Sequence, residues 1–273
     1  MSIEPLRLLL DSRAMQTGVH VQDGVRLDTF IKAMEAAGVT VVFSADRLDA
    51  DSVRGADVVL IPTRMAIDGN EYSPTELTAV EQFTAEGGGL LLMSNHGDLP
   101  GRNKYDHTRH DRVLAARFDV DMQPAWFQQN EPDLADGVEP GVLTEMAGDL
   151  LNAGHPIFAA TDPENTVRTV VTNNCAAISR GAGAPLVSLA PSMIDWRNGR
   201  AVSEYVFGCA LERTSARRGR VVVLADSGFI GSAGTTRPGP GLIEHGDNLR
   251  FVLNTIAWLG GDSAAPEVHS EEA

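Results

Sequence analysis

The stretch from Ser73 to Asp98, SPTELTAVEQFTAEGGGLLLMSNHGD, constrains the fold more than any other part of the chain. Its first four residues have the types and spacing of an N-cap, a proline at the first helical position and a capping box. Apolar residues then recur at three- and four-residue intervals until three glycines, Gly87–Gly89, end the helix. The apolar run Leu90–Met93 is typical of a parallel strand that is covered on both faces. The polar residues after it therefore lie where open α/β sheets bind ligands, outside the carboxyl end of a strand.

The rest of the first half, together with the end of the chain, predicts a flavodoxin-like α/β fold. Strands alternate with amphipathic helices, a pattern that requires crossover connections and gives a mostly parallel sheet flanked by helices. The predicted strands are Leu6–Leu10, Val39–Phe43, Asp57–Pro62, Leu90–Met93 and Val221–Leu224, and the predicted helices cover about 24–37, 74–86, 110–117 and 247–259.

The second half predicts a β-rich extension at about residues 123–192. Its strands are short and closely spaced, which favours antiparallel pairing over further β-α units. We expect strands at Val120–Phe127, Val167–Thr172, Ala176–Ser179 and Leu186–Leu189, and a helix at about residues 142–151. The sequence thus predicts one domain over residues 1–260, followed by a disordered acidic tail at 261–273.

Charge and cysteine content exclude several classes of protein. The 273 residues carry 37 acidic and 22 basic side chains, a net charge of −15. Nucleic acids and anionic membranes are bound through clustered lysines and arginines, so we expect neither as a partner. Cys175 and Cys209 are too few for a disulfide framework or a cysteine-based metal site. The sequence shows neither a signal peptide nor a run near the ~18 apolar residues of a membrane span, so we expect a reducing, cytoplasmic location.

Two passages together resemble a known superfamily. One is the helix, glycine turn and strand of Glu76–Met93, and the other is GRVVVLADSGF at Gly219–Phe229, followed by GDNLRFVLNTIAWL at Gly246–Leu259. Their order and separation resemble the class I glutamine amidotransferase-like superfamily, especially its ThuA-like (trehalose-utilisation-type) branch. The His-Pro at His155 also fits that branch. The resemblance implies a flavodoxin-like fold and leaves the activity open, because the superfamily hosts many functions.

The sequence departs from the glutaminase members of that superfamily at the residues that carry their chemistry. The resemblance implies a cysteine nucleophile on the turn after Leu90–Met93, but this turn reads Ser94-Asn95-His96-Gly97. Cys175 and Cys209 lie in later, loosely matching parts of the chain. We therefore expect no glutaminase activity.

His96, Asp98 and Asp226 are the candidate catalytic residues. The imidazole of His96 follows a strand end and suits acid/base chemistry, with Asp98 or Asp226 as the group that orients it. The alternative for His96 is a loop histidine with ordinary hydrogen bonds. The alternative for Asp226 is a carboxylate that accepts hydrogen bonds from backbone amides of its own loop.

Six further residues at predicted strand ends or loops are candidates for substrate binding. Paired carboxylates of Asp11 and Asp226 would suit acid/base work or polyol binding, whereas structural roles are favoured for the serines because Met-Ser-Asn-His-Gly is not a nucleophile elbow. Asp247 or Asn248 is expected to be the N-cap residue of the last helix, which leaves His245 as a site candidate. The six are Asp11, Arg13, Ser94, Asn95, Ser227 and His245.

The loop HGDLPGRNKYDHTRHD is rich in possible metal ligands. It holds three histidines and three aspartates, which suit a divalent transition metal, with His107 and His110 as the foremost candidates. The spacing matches no common metal motif, and a solvated polar loop explains the residues equally well. Neither glycine-rich stretch has a phosphate-loop or dinucleotide pattern, so no nucleotide cofactor is expected.

Two functions from different classes remain open. The first is an enzyme that acts on a small polar molecule, carbohydrate-like by resemblance, through hydrolase or lyase chemistry with His96 as the acid/base. The second is a binding or assembly module that kept the fold without the nucleophile. The sequence leaves a homo-oligomer open and does not identify the substrate.

Overall fold

The structure, a computed structural model, describes most of the chain. Asp98, Asp106 and residues 262–273 of the predicted tail lie outside the described residues, as does most of the acidic segment after Gln129. The described residues are 5–11, 13, 27–44, 46–64, 68–97, 107–129, 143–159, 165–181, 183–196, 199–232 and 241–261.

The described residues form twelve strands and four α-helices. The strands are β1 Arg7–Leu10, β2 Thr40–Phe43, β3 Val58–Ile61, β4 Gly89–Met93, β5 Met122–Gln129, β6 Thr144–Ala147, β7 Thr169–Thr172, β8 Asn174–Ser179, β9 Ala184–Ser188, β10 Met193–Asp195, β11 Tyr205–Leu211 and β12 Val221–Leu224. The helices are α1 Asp28–Ala36, α2 Pro74–Glu86, α3 Thr108–Ala115 and α4 Asn248–Leu259.

Five parallel strands form one half of a ten-stranded sheet in the order β2-β1-β3-β4-β12. The central strand β4 pairs with β3 on one side and with β12 on the other, so that Leu90 lies between Val59 and Val221. This order is the flavodoxin-like order, with β12 in the place of the fifth strand. The predicted fold class is therefore confirmed, including the parallel core.

Apart from β6 and β7, which form a separate two-stranded sheet, the strands of the predicted extension lie in the other half of the ten-stranded sheet, which is antiparallel. From β12 it continues through β11, β8, β5 and β10, while β9 pairs with a second part of β11. Strands β7, β8 and β9 correspond to the three short strands expected between residues 167 and 189. The prediction of a helix at residues 142–151 is wrong. Thr144–Ala147 is strand β6, which pairs antiparallel with β7, and Gly148–Leu150 is a short 3₁₀ turn.

Side chains of the parallel strands alternate between two apolar layers. Leu8, Leu60 and Leu91 face the layer that contains Phe30 of α1 and Phe251 of α4. The intervening strand residues, such as Leu9, Val59 and Leu90, face the layer that contains Val80 and Phe83 of α2. Because both faces are covered, every residue of β3 and β4 is buried, as their continuous apolar sequences predict.

The ends of α2 form as the sequence predicts. The Ser73 side chain accepts a hydrogen bond from the Glu76 amide at 3.2 Å, and the Glu76 carboxylate accepts one from the Ser73 amide at 2.9 Å. Gly87 ends the helix with a φ of +121°, which is readily adopted only by glycine. The capping box is confirmed, and it fixes the Glu76 carboxylate at the end of the sheet where the strands terminate.

Candidate functional site

Polar residues follow the carboxyl ends of four neighbouring parallel strands. Asp11 follows β1, Arg64 comes shortly after β3, Ser94 follows β4 and Asp226 comes shortly after β12. All four side chains are almost completely buried. The strands are parallel, so these residues share one edge of the sheet, which is where doubly wound folds bind ligands.

His96 is held between two other aromatic rings. Its imidazole lies over the Trp126 indole with ring centroids 4.2 Å apart, and His107 meets it edge-on at 5.1 Å. The Asn95 side chain accepts a hydrogen bond from the His96 amide at 2.7 Å, and the Gly97 amide donates to the Ala125 carbonyl at 2.9 Å. His96 is only partly buried. A fixed imidazole that reaches the surface at a strand end is placed to exchange protons with a bound molecule.

Asp226 stabilises its own loop. One carboxylate oxygen accepts a hydrogen bond from the Thr172 hydroxyl at 2.6 Å, and the other accepts one from the Gly228 amide at 2.7 Å. This arrangement matches the structural alternative for Asp226. Of the residues expected to gather here, Asn95 and Ser227 do meet, through a hydrogen bond of 3.4 Å. The orienting roles given to Asp226 and Asp98 stay predictions.

Asp11 pairs with an arginine that the sequence reasoning did not single out. Nε and Nη2 of Arg64 donate to one Asp11 oxygen at 3.0 and 2.7 Å, and Nη2 also donates to Glu76 at 2.9 Å. The guanidinium lies over the Tyr72 ring, 3.9 Å from its centroid. Burial alone would lower the pKa of Arg64, but Tyr72, Asp11 and Glu76 raise it above its usual value. Pairing with Asp11 and Glu76 therefore offsets the cost of burying the Arg64 charge.

Two more arginines approach the Glu76 carboxylate. We call the group formed by Asp11, Arg13, Arg47, Arg64, Tyr72 and Glu76 the Arg64 cluster. Arg47 binds Glu76 at 2.6 Å, and Arg13, a predicted substrate-binding residue, lies 3.9 Å from it. Burial would raise the pKa of Glu76, but the Ser73 amide, Arg64 and Arg47 hold this pKa below its ordinary value. Glu76 therefore serves both the capping box and the cluster.

Asp111, on the first turn of α3, joins the ends of β3 and β4. Its carboxyl group accepts hydrogen bonds from the Thr63 hydroxyl at 2.7 Å, the Ser94 hydroxyl at 2.9 Å and the Arg64 amide at 3.1 Å. Burial raises the pKa of Asp111 from 3.8 to about 7, although these hydrogen bonds and the Arg64 charge act in the opposite direction. Ser94 therefore orders a buried carboxyl group rather than presenting a nucleophile.

The metal candidates are placed on or beside α3. His107 precedes the helix and His110 lies within it, and both side chains are buried. In the ranges that the structure describes, no group of three or more His, Cys, Asp or Glu side chains is arranged to hold a metal ion. Asp98 and Asp106, two of the three aspartates of that loop, are outside those ranges.

The start of α4 lies where expected, but its N-cap residue makes different hydrogen bonds. Asp247 occupies the N-cap position but makes no side-chain capping bond, because its carboxylate accepts hydrogen bonds from the Arg168 and Thr169 amides. The Asn248 side chain binds the Val171 backbone in the same way. Both residues therefore attach α4 to β7. His245 lies in the turn before them, partly buried, and its carbonyl accepts from the Asn248 amide.

The two cysteines and the lengths of the helices limit what the protein can do. Cys175 and Cys209 are buried and free, and burial raises the pKa of both thiols. Neither is suited to act as a nucleophile. Among the helices that the structure describes, none is long and apolar enough to span a membrane.

Comparisons with known proteins identify the fold. No protein-family model matches the sequence, and no curated protein matches it. Among solved structures, the N-terminal domain of mmIFT52 matches with a TM-score of 0.64 and 12% identity, covering 93% of this chain and 97% of that one.

Two ThuA-like proteins match over a similar extent. The protein from Bacteroides uniformis has a TM-score of 0.51 and 13% identity, covering 97% of this chain and 96% of its own. The protein from Parabacteroides merdae has a TM-score of 0.51 and 12% identity, covering 98% and 94%. Identities this low establish the fold and not the activity. As the sequence resemblance implied, the chain has the flavodoxin-like fold found in these ThuA-like proteins.

Proposed function

We propose that the protein is an enzyme that acts on a small polar molecule by hydrolase or lyase chemistry, with His96 as the acid/base. The observation that carries this proposal is the partly exposed His96 imidazole, fixed between Trp126 and His107 beyond the central strand. Pre-positioning of an acid/base is what lowers a reaction barrier, because the group needs no rearrangement as the proton moves. The resemblance to ThuA-like proteins supports a carbohydrate-like substrate.

The surroundings of His96 favour direct attack by water or direct removal of a substrate proton. Ser94 is buried and donates to Asp111, and both cysteines are buried, so these side chains do not serve as covalent nucleophiles. The neutral imidazole would take a proton from water or from a carbon beside a carbonyl, and the imidazolium would return it to the leaving group. Trp126 and the Asn95 side chain hold the base in place during both steps.

A second function, binding without catalysis, is favoured by a different observation. Asp11 and Asp226, the two carboxylates expected to face a ligand, are buried and bound to protein groups. A module that kept the fold and lost its catalytic activity would have carboxylates like these, which bind protein groups instead of a substrate. Small polar molecules would then bind at the same strand ends without being converted. For either function we propose a cytoplasmic location, which the free cysteines support.

The experiment compares His96→Ala with a matched variant on panels of p-nitrophenyl glycosides, p-nitrophenyl esters and acidic sugars. His155→Asn is the control, because His155 also packs against a tryptophan, Trp258, at 4.9 Å, but lies beside Arg220 at the opposite end of β12. We expect His96→Ala to lower the rate by ~10²–10⁴ and His155→Asn to leave it within a few-fold. Thermal melts should show both variants folded.

Two results would contradict the proposal. One is turnover by the wild type that survives His96→Ala, which would refute the acid/base role of His96. The other is calorimetric binding of a sugar from the panel by the wild type without any turnover, which would instead establish the second function.

A further inference from the structure

The Arg64 guanidinium contains a buried donor that lacks an acceptor. Nε and Nη2 are engaged by Asp11 and Glu76, but Nη1 donates to no group among the described residues, and the side chain is completely buried. Buried guanidinium donors in folded proteins almost always find an acceptor. A missing acceptor at this position indicates that something else, a water molecule or a ligand, supplies it.

The location favours a ligand. Arg64 lies between the carboxyl ends of β1 and β3, where the strand order β2-β1-β3-β4 changes direction. Helix α1 packs on one face of the sheet and α2 on the other, so the crevice between these strand ends is the topological switch point of the fold. Open α/β sheets bind their ligands in this crevice.

Two further guanidinium groups lie on the solvent side of these strand ends. Both Arg13 and Arg47 donate from Nη2 to the Gly69 carbonyl, at 2.9 and 3.3 Å, and both approach Glu76. Their side chains are 16% and 42% exposed, so the cluster reaches solvent on their side. Because backbone and carboxylate acceptors hold these side chains, little conformational freedom is lost when a ligand arrives.

The charges favour an anion over a water molecule. Three guanidinium groups face two carboxylates, Asp11 and Glu76, and the lowered pKa of Glu76 keeps that carboxylate ionised. Asp111 is hydrogen-bonded to the Arg64 backbone amide and makes no hydrogen bond to the guanidinium, although the guanidinium charge also acts on it. The exposed carboxylate of Glu71 binds the Gly69 amide at 2.8 Å and leaves the deep donor without an acceptor. A water molecule would satisfy Nη1 without balancing the surplus positive charge.

We propose that the crevice between β1 and β3 binds the carboxylate or phosphate group of a small ligand. Nη1 of Arg64 is the buried donor, and Arg13 and Arg47 contact the anion from the solvent side. Planar guanidinium groups suit both anions because each presents pairs of N–H donors at the spacing of two oxygens. This site is separate from His96 and does not depend on the function proposed above.

The test measures binding of inorganic phosphate and of acetate to the full chain by calorimetry and thermal melts, with sodium chloride holding ionic strength constant. We expect saturable binding of at least one anion. Arg47→Gln, on the solvent side, should weaken it about tenfold or more. Arg54→Gln is the matched control, because Arg54 is 74% exposed and pairs with Asp51 on the surface. It should leave the affinity unchanged.

Arg64→Lys extends the test to the deep donor, since lysine keeps the charge and removes Nη1. If this variant folds, we expect binding to be lost; if it does not fold, Arg47→Gln decides. The proposal is overturned if neither anion binds saturably to the wild type, if Arg47→Gln binds as tightly as the wild type, or if crystals grown in phosphate show only water on Nη1. Preference for phosphate or for acetate would tell which anion the ligand carries.

Discussion

Replacing Asp111 with asparagine should remove a large pH dependence from the stability of the fold. Burial raises the pKa of this carboxyl group from 3.8 to about 7 in the folded protein. The folded state thus holds the proton to higher pH than the unfolded chain does, so the wild type loses stability as pH rises from about 4 through about 7. Each pKa unit corresponds to about 1.4 kcal/mol, so the total loss is about 4 kcal/mol, of which about 3 kcal/mol falls between pH 5 and pH 8.

Asparagine fits the position of Asp111 without loss of its main contacts. Its amide oxygen can accept from the Arg64 amide, as the aspartate does at 3.1 Å. Its NH₂ group can donate to the Thr63 hydroxyl, which already has a second acceptor in the His107 carbonyl at 3.3 Å. The expected effect of Asp111→Asn is therefore mainly the removal of the ionisable group.

The assay is urea unfolding of wild type and Asp111→Asn between about pH 5 and pH 8. The free energy of unfolding of the wild type, relative to the variant, should fall by about 3 kcal/mol over this range. Asp51→Asn, at an 80% exposed surface position, is the control and should follow the wild type. A wild-type-minus-variant difference that stays constant with pH would refute the assignment of a raised pKa to Asp111.

Two further predictions concern the opposite end of the sheet. Burial lowers the pKa of His155, partly opposed by Glu212, so the wild type should lose stability relative to His155→Asn as pH falls below about 6.5. Urea unfolding at several pH values measures this trend. If the unfolding free energies of the two proteins change in parallel with pH, the prediction is contradicted. A Cβ on Gly89 would lie 2.7 Å from the Leu259 carbonyl oxygen, so Gly89→Ala should cost about 1–3 kcal/mol of folding free energy and lower the melting temperature by several degrees. Gly154→Ala is the control and should change the melting temperature little, because the atom nearest to its Cβ would be 3.9 Å away. Equal melting temperatures for the two variants would refute this prediction.

The elements predicted well from the sequence are those whose signals are local. The start of α2 depends on residues 73–76, and its end depends on Gly87, so four neighbouring residues and one glycine specify both termini. The apolar runs of β3 and β4 predict burial on both faces because nothing polar interrupts them. Local signals of this kind are readable because the interactions they specify join residues close in the chain.

Strand β11 is not predicted from the sequence, for a physical reason. Its sequence YVFGCAL contains Gly208, which reads as an interruption of a strand. In the structure a Cβ at that position would lie 2.6 Å from a methyl group of Leu224, so glycine allows β11 and β12 to pack closely. The helix expected at residues 142–151 failed similarly, since pairing with β7 decides the conformation of Thr144–Ala147 and the partner lies some 25 residues away.

The sequence predicts where the candidate site residues lie, at the ends of strands, but not which groups they bind. A carboxylate just after a parallel strand can face a ligand or can hold the loop that follows, and the sequence is the same in both cases. Asp226 holds its loop through the Gly228 amide, and Asp11 is bound by Arg64, 53 residues further along the chain. Such long-range partners carry no local signal, although an arginine shortly after a buried strand is itself unusual enough to be noted.

The structure divides the strand ends into two parts that Asp111 connects. On one side is the Arg64 cluster, and on the other is His96 with its aromatic neighbours. Asp111 binds the Arg64 amide on the first side and the Ser94 hydroxyl, two residues before His96, on the second. Burying such a carboxyl group costs stability, so its value lies in fixing the relative positions of the ends of β3 and β4. If so, Asp111→Asn, whose amide oxygen can still accept from the Arg64 amide and whose NH₂ group can donate to the Ser94 hydroxyl, should leave both His96-dependent turnover and anion binding intact. Asp111→Leu, which removes these hydrogen bonds, should weaken both together.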